Sequence, residues 1–212
     1  MHDECEVIVF DVCGTLYNCN TTAEFCKFLC KTRSEKMLLW FVSTKIGRLI
    51  NRLVYKISGA EFSRSIWLRV LEGKSSSYLE DMADEFVTHI LKDKEIAQTH
   101  VLVKQFKEEN LMLASASIEP VVRSISKLLK IDRYIASQLK YESGICLGQL
   151  SVDLLGNKHY LFGSMKINKV ITDNKSDIAL CLLAKNSIIV SRPRNVSFWN
   201  KHLNNIEAMV IL

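Results

Sequence analysis

The sequence predicts an α/β protein: a parallel-sheet core with an all-helical cap inserted after its first strand. Three observations predict it. Val7-Ile8-Val9-Phe10 is an unbroken apolar run ending on Asp11, as a strand buried on both faces of a parallel sheet does. Residues from about 20 to 92 carry helical periodicity throughout. From about Glu95, short apolar runs alternate with helical segments, the pattern of a sheet joined by right-handed crossovers.

Each element has its own signal. After Leu16, Thr21-Thr22-Ala23-Glu24 offers a helix start with Thr followed three residues later by an acid. Ala23, Phe25, Cys26, Phe28, Leu29 and Cys30 then supply the apolar positions. Lys36 to Ile57 repeats apolar residues at helical spacing (Leu38, Leu39, Val42, Ile46, Leu49, Ile50, Leu53, Ile57) with Lys45, Arg48, Arg52 and Lys56 on the other side. Such a stripe is read as core with a solvated basic face. A second reading lays it on an anionic membrane with Trp40 and Phe41 as wedges, since its charges forbid a bilayer span. Two further helices are expected around Glu61–Leu71 and Ser77–Leu91, separated by Glu72-Gly73-Lys74-Ser75.

The second half predicts a helix over Ile96–Glu108 and a strand Leu111–Ala114 ending at Ser115-Ala116-Ser117. Pro120 fits the first turn of a helix carrying Val121, Val122, Ile125, Leu128 and Leu129. Tyr134–Ala136 is a third strand, and Tyr141 to Val152, with turn signals at Ser143-Gly144 and Gly148, reads as a hairpin. Gly156-Asn157-Lys158 opens another helix. Lys169–Thr172 is a strand ending at Asp173, with Asp177 four residues on; a helix Ile178–Ala184, a strand Ile188–Val190 and a last helix or short strand follow.

Composition sets the outer limits. The 212 residues suit one medium domain carrying an insert, and 48% hydrophobic content supports a real core. The net charge of +5, from 28 basic and 23 acidic residues, is too small to point to nucleic acid and is compatible with anionic substrates. Seven cysteines without a CxxC pair read as reduced thiols, most of them buried, in a cytoplasmic protein. The polar N-terminus, running straight into a strand, does not resemble a signal peptide.

The polar residues at strand ends convert a fold into chemistry. Asp11 follows the first strand, Ser115 the second, Lys158 opens a later helix, and Asp173 with Asp177 follows another strand. Ligands of open α/β sheets gather at these carboxyl ends. A carboxylate nucleophile, a hydroxyl donor, a fixed cation and an acidic pair for a metal form the inventory of phosphoryl transfer, which is mostly positioning plus charge neutralisation.

These stretches carry a resemblance. Phe10-Asp11-Val12-Cys13-Gly14-Thr15-Leu16 resembles the DxDGTL motif of the haloacid dehalogenase superfamily of aspartate-nucleophile phosphatases. Leu113-Ala114-Ser115-Ala116-Ser117 resembles its second motif, Gly156-Asn157-Lys158 its lysine, and Thr172-Asp173-Asn174-Lys175-Ser176-Asp177 its GDxxxD motif with Thr for Gly. The order and the early helical insert, with Leu71-Glu72-Gly73-Lys74-Ser75 inside it, are similar to the phosphoserine-phosphatase-like branch. The resemblance implies a Rossmann-like core over residues 1–18 and 93–212 and a cap over 19–92. It also implies Mg²⁺ held by the Asp11 carboxylate, the Cys13 carbonyl and Asp173, with Asp177 in the first or second shell. Asp11 would form an aspartyl-phosphate, Ser115 and the Ala116 N–H would hold phosphate oxygens, and Lys158 would neutralise them.

One residue departs from the pattern. The aspartate expected two residues after the nucleophile, which protonates the leaving oxygen and helps water attack the intermediate, is Cys13. Such acid–base help is typically worth about 10²–10⁴-fold, and a thiol donates weakly. The P-type ATPase branch, with Thr there, keeps a longer-lived phospho-enzyme. The expected function is therefore a Mg²⁺-dependent phosphohydrolase acting on a small phosphorylated metabolite, with slow turnover. The alternatives are a pseudo-phosphatase binding a phosphorylated ligand and a peripheral lipid-phosphate phosphatase.

Overall fold

The computed structural model describes residues 6–44, 46, 47, 49, 50, 52, 53, 62–106, 109–163 and 165–212, with the backbone alone at 34, 35, 38 and 43. Seven strands form one sheet in the order β4-β3-β2-β1-β5-β6-β7, where β1 is Val7–Phe10, β2 Leu111–Ile118, β3 Arg133–Glu142, β4 Ile145–Val152, β5 Ile167–Thr172, β6 Ala184–Ser191 and β7 Ile206–Ile211. Every pairing is parallel except that of the hairpin β3–β4. The first strand therefore lies in the middle, and the strand order reverses across it. That is where a doubly wound sheet opens a crevice at its carboxyl edge.

Period-two alternation divides the sheet between two cores. Ile8 and Phe10 join one buried cluster with Leu113, Ile171 and Ile188, while Val7 and Val9 join another with Met112, Val170 and Trp199. The first cluster continues into the insert through Phe25, Leu79 and Phe86. Cap and core thus share one hydrophobic body on that side. The hairpin turns at Ser143-Gly144, both with positive φ, as a two-residue turn matching strand twist requires.

The helices are α1 (Thr21–Leu29), α2 (Arg33–Ser43), α3 (Phe62–Arg69), α4 (Ser76–Phe86), α5 (Ala97–Gln105), α6 (Glu119–Leu129), α7 (Ile178–Leu183) and α8 (Val196–His202). α4 packs on α6, and α3 packs on β4 and on α1 and α2. α1 is capped by Asn20, whose side chain accepts from the Ala23 N–H, and not by Thr21. Thr21 and Thr22 are buried instead, because their hydroxyls have better partners across the site. Gly156-Asn157-Lys158 leads into a short 3₁₀ turn over Lys158–Leu161 rather than an α-helix, and the chain ends with both a helix and a strand.

The reading of Lys36–Ile57 as core holds only in part. Leu39 and Val42 are buried, but Met37, Trp40, Phe41, Ile46, Leu49 and Leu53 are exposed. Thr44 breaks the stretch in two: its hydroxyl donates to the Phe41 carbonyl at 2.6 Å and accepts from the Gly47 N–H at 3.1 Å. The corner uses one face for packing and exposes the other. The expectations for the side chain of Leu38 and for Lys45, Arg48, Lys56, Ile57, Glu61 and Glu108 fall outside the described residues.

α5 anchors the loop that follows β1. The buried Thr99 hydroxyl lies 2.7 Å from the Thr15 carbonyl and 2.9 Å from that of Ile96, while the Ile96 N–H donates to Leu16. Thr99→Val keeps the shape but leaves the Thr15 carbonyl without its hydroxyl donor. Urea unfolding is expected to show a loss of about 1–3 kcal/mol; an unchanged midpoint would mean that the loop is held elsewhere.

Candidate active site

β1 delivers Asp11 to the centre of the sheet's carboxyl edge. Its N–H still pairs with the Ile171 carbonyl, so the residue continues the ladder while its side chain leaves it. Asp11 Oδ1 accepts from the Val12 N–H and from Lys158 Nζ, each at 2.8 Å. With that oxygen fixed by two donors, Oδ2 is the one left for the cavity that Asp11 lines.

Lys158 is 2% exposed and lies between two carboxylates, 2.8 Å from Asp11 Oδ1 and 2.8 Å from Asp177 Oδ2. These two acids hold its ammonium firmly protonated despite burial. Asp177 Oδ2 also accepts from the Thr172 hydroxyl at 2.8 Å, and its Oδ1 is buried without a partner. Thr172 stands where the resembled motif has Gly, and its hydroxyl fixes the acid that fixes the lysine. A sequence comparison records only a mismatch there.

Asp173 lies on the neighbouring side of the loop after β1. The Thr15 hydroxyl donates to Asp173 Oδ1 at 3.1 Å and accepts from the Asp173 N–H at 2.9 Å. Gly14, with φ +76°, makes this approach possible: a Cβ there would fall 2.2 Å from Asp173 Oδ2. The Asp173 carboxyl lines a hollow beside the cavity rather than the cavity wall itself. Burial pushes Asp173 up to about 6 and Asp11 up to about 7, the latter against the pull of Lys158. Three carboxylates sharing one ammonium leave the strand tips short of positive charge.

β2 contributes the hydroxyls. Its register with β3 shifts between Ser115 and Ile118, so Ala116 and Ser117 are pushed out of the ladder at the strand tip. The Ser115 hydroxyl oxygen accepts from the Ser117 N–H at 3.1 Å, leaving its own proton for another acceptor. Ser117 sits in a chain: Thr21 Oγ1 donates to it at 2.7 Å, and Thr22 Oγ1 lies 2.9 Å away and accepts from the Ile118 N–H. The Cys13 Sγ joins this chain, 3.1 Å from Thr21 Oγ1 and 3.4 Å from the Thr21 N–H. Burial and the charge of Asp11 push the thiol up, so it is neutral.

These residues surround one cavity of about 150 Å³, lined among others by Asp11, Cys13, Ser115, Ala116 and Lys158. Five of the seven residues expected from sequence to act together, Asp11, Cys13, Ser115, Ala116 and Lys158, line it; Asp173 and Asp177 do not, and connect to it through the loop after β1 and through Lys158. The sequence reading did not anticipate the cap side. Arg64, buried on α3, donates from Nη2 to the Ala116 carbonyl and to Ser137 Oγ at 3.0 Å and lies 3.3 Å from Asp153. Its Nε and the indole N–H of Trp67 one turn on are buried without partners, and both residues line the cavity. The signal was thin: one arginine in an amphipathic helix is ordinarily a solvated charge.

A cation fits this donor set in kind. Among the described residues no three His, Cys, Asp or Glu side chains gather as a complete ligand shell. Two carboxylates raised by burial and short of positive charge, supplemented by backbone oxygen, are the hard donors that a small divalent ion takes.

The comparisons follow the same lines. A protein of unknown function from Bordetella pertussis Tohama I aligns over 97% of this chain and 98% of its own at 15% identity, with a TM-score of 0.75. A phosphoserine phosphatase solved as a phospho-aspartyl intermediate analogue aligns over 97% and 93% at 15% identity and TM-score 0.59. The phosphoserine phosphatase of T. onnurineus aligns over 99% and 92% at 19% and 0.57. At these identities the likeness is one of fold. No curated protein matches by sequence. Residues 8–180 match the family described as haloacid dehalogenase-like hydrolase, and the chain belongs to that family.

Proposed function

We propose that this hydrolase is a Mg²⁺-dependent phosphatase of small phosphomonoesters that works through an aspartyl-phosphate and is slow in the second half of its cycle. The observation that carries the reading is the convergence of the Asp11 carboxylate, the Ser115 hydroxyl and the Lys158 ammonium on one small cavity. The division into a core of residues 1–18 and 93–212 and a cap of 19–92 belongs to this proposal, as do the roles that follow.

Asp11 Oδ2 attacks phosphorus and the bond from phosphorus to the ester oxygen breaks. The departing alkoxide takes a proton from cavity water, leaving the phosphoryl group on Asp11. In the second step water attacks phosphorus and releases its proton to solvent, phosphate leaves, and the Asp11 carboxylate is restored. Lys158 holds the second oxygen of Asp11 in place and offers its charge to the phosphoryl group. The Ser115 O–H and the Ala116 N–H donate to phosphoryl oxygens. Asp11, Asp173 and the Cys13 carbonyl would hold Mg²⁺, with Asp177 acting through Lys158 and leaving Oδ1 for an outer water. The ion when bound supplies neutralisation of the phosphoryl charge.

Cys13 supports the slow second step. To activate the attacking water the sulfur would have to be a thiolate, and burial and the charge of Asp11 keep it protonated. An aspartate at this position would find one donor ready, because the Thr21 N–H already points at the sulfur.

The cavity is too small for a large leaving group, since ligand pockets usually run to about 300–1,000 Å³. The unpartnered N–H groups of Arg64 and Trp67 call for a hydrogen-bond acceptor on the substrate's far end.

Three outcomes test this reading. Cys13→Asp is expected to raise steady-state hydrolysis of an aryl phosphate by about 10²–10⁴-fold, and to abolish the phospho-enzyme that mass spectrometry is expected to detect in the natural protein; equal rates would overturn the role given to position 13. Asp11→Asn should remove both turnover and the phospho-enzyme, with retained activity excluding the nucleophile. Trp67→Phe removes the indole N–H together with one ring while keeping an aromatic side chain. It should raise KM for the best substrate of a phosphomonoester panel about threefold to tenfold at nearly constant kcat.

A further inference from the structure

The corner formed by α2 and the helical residues after Thr44 carries a surface that the hydrolase reading does not use. Met37, Trp40 and Phe41 stand at i, i+3 and i+4, and Ile46, Leu49 and Leu53 at i, i+3 and i+7. All six are exposed, Met37 by 67%, Trp40 by 68% and Ile46 by 65%. Gly47 lets the second stretch close on the first, since a Cβ there would fall 2.4 Å from the Phe41 carbonyl. Thr44 caps one stretch and starts the next. Thr44 and Gly47 thus build the corner between the stretches that carry the two apolar rows. An exposed apolar area of this kind marks an interaction site.

Charge identifies the partner. Between Lys31 and Lys56 the chain carries seven basic residues against Glu35 alone, an excess greater than the +5 of the whole protein, so the remainder is close to neutral. Among the described residues Arg33, Lys36 and Arg52 are exposed on these same stretches. Beside Trp40 lies a hollow of about 420 Å³ lined by Lys27, Cys30, Lys36, Leu39 and Trp40. A large aromatic and aliphatic face flanked by cations is what an interfacial helix presents to anionic headgroups. A second copy of this chain would bring the same positive charge against itself across a two-fold axis. Nucleic acid would answer the charges and leave the apolar rows in water. No helix among the described residues is long and apolar enough to cross a membrane, so the fit is to a surface.

We infer that the face formed by Met37, Trp40, Phe41, Ile46, Leu49 and Leu53 docks the protein peripherally on an anionic lipid bilayer. The dock is independent of the chemistry in the cavity and needs no turnover to be seen. It also carries consequences for the site: α2 packs on α3, the helix that supplies Arg64 and Trp67 to the cavity wall. A bilayer would therefore contact the cap next to the element that faces the substrate.

Vesicle flotation with the full chain tests it. With phosphatidylcholine–phosphatidylglycerol vesicles (7:3) at 50 mM salt, the bound fraction is expected to exceed that on pure phosphatidylcholine at least tenfold and to fall severalfold at 500 mM salt. Trp40→Ser with Phe41→Ser should lose binding on both, and Lys36→Glu with Arg33→Glu should lose it on the anionic vesicles, each with an unchanged circular dichroism spectrum. Of the three tryptophans Trp40 is the exposed one, so emission should shift to the blue on vesicle addition in the natural protein and not in Trp40→Phe. Binding no greater than to phosphatidylcholine at low salt would overturn the inference. So would a concentration-dependent dimer, abolished by the Trp40/Phe41 pair of changes, without vesicle binding.

Discussion

The Lys158 ammonium, buried between Asp11 and Asp177, is the interaction on which the rest of the site depends. Three separate pieces of chain must end at one level for it to form: β1, the 3₁₀ turn at Lys158 and the turn after β5. A buried charge without partners costs several kcal/mol, so an error in any of the three would expose that cost. The parallel register of β1 with β5, which aligns Phe10 with Ile171, sets the level. The two acids differ in what they leave open. Asp11 gives one oxygen to the lysine and keeps the other toward the cavity. Asp177 spends its shared oxygen on Lys158 and Thr172, and so serves the lysine more than the ligand.

From that centre the wall of the cavity is built by elements with little sequence in common. The tip of β2 bulges, and the carbonyl this exposes at Ala116 is taken by Arg64 from the cap and by Ser137 from β3. The start of α1 is held against the same tip by Thr21 and Thr22 through Ser117. Cap and core are therefore joined at the cavity by polar contacts and away from it by the shared apolar cluster.

How much of this could be read beforehand follows from the range of the forces involved. The apolar run of β1, the helical periodicity of the insert and the alternation after Glu95 are local, so the sequence reveals them; Asp11, Ser115, Lys158, Asp173 and Asp177 are legible because strand ends place them. The start of α1 misled because Asn20 and Thr21 are both good caps, and the choice was made by Ser117, distant in sequence. Arg64 and Trp67 were missed because what matters is the missing partner of an N–H, a property of the packed state. The Lys36–Ile57 stripe was assigned to core because periodicity says that a helix has an apolar side. It does not say how many faces around that helix are covered.

On the reading proposed, position 13 lets the site keep its geometry while its rate-limiting step changes. The sulfur lies at the head of a hydrogen-bond chain through Thr21, Ser117 and Thr22 that ends on the Ile118 N–H, a group that does not titrate. A chain of this kind orients its members but has no acid or base at its far end to take up or supply a proton. It runs along the cavity wall, which Cys13, Ser117 and Thr22 all line. A thiol at its head is compatible with α1, the strand tip and the Ser115 hydroxyl as they stand. On that reading, what is missing is a carboxylate that could exchange protons with the reacting oxygens. On the reading proposed, formation of the aspartyl-phosphate loses an acid that a good leaving group does not need, whereas its hydrolysis depends on activating water, and the second step loses more.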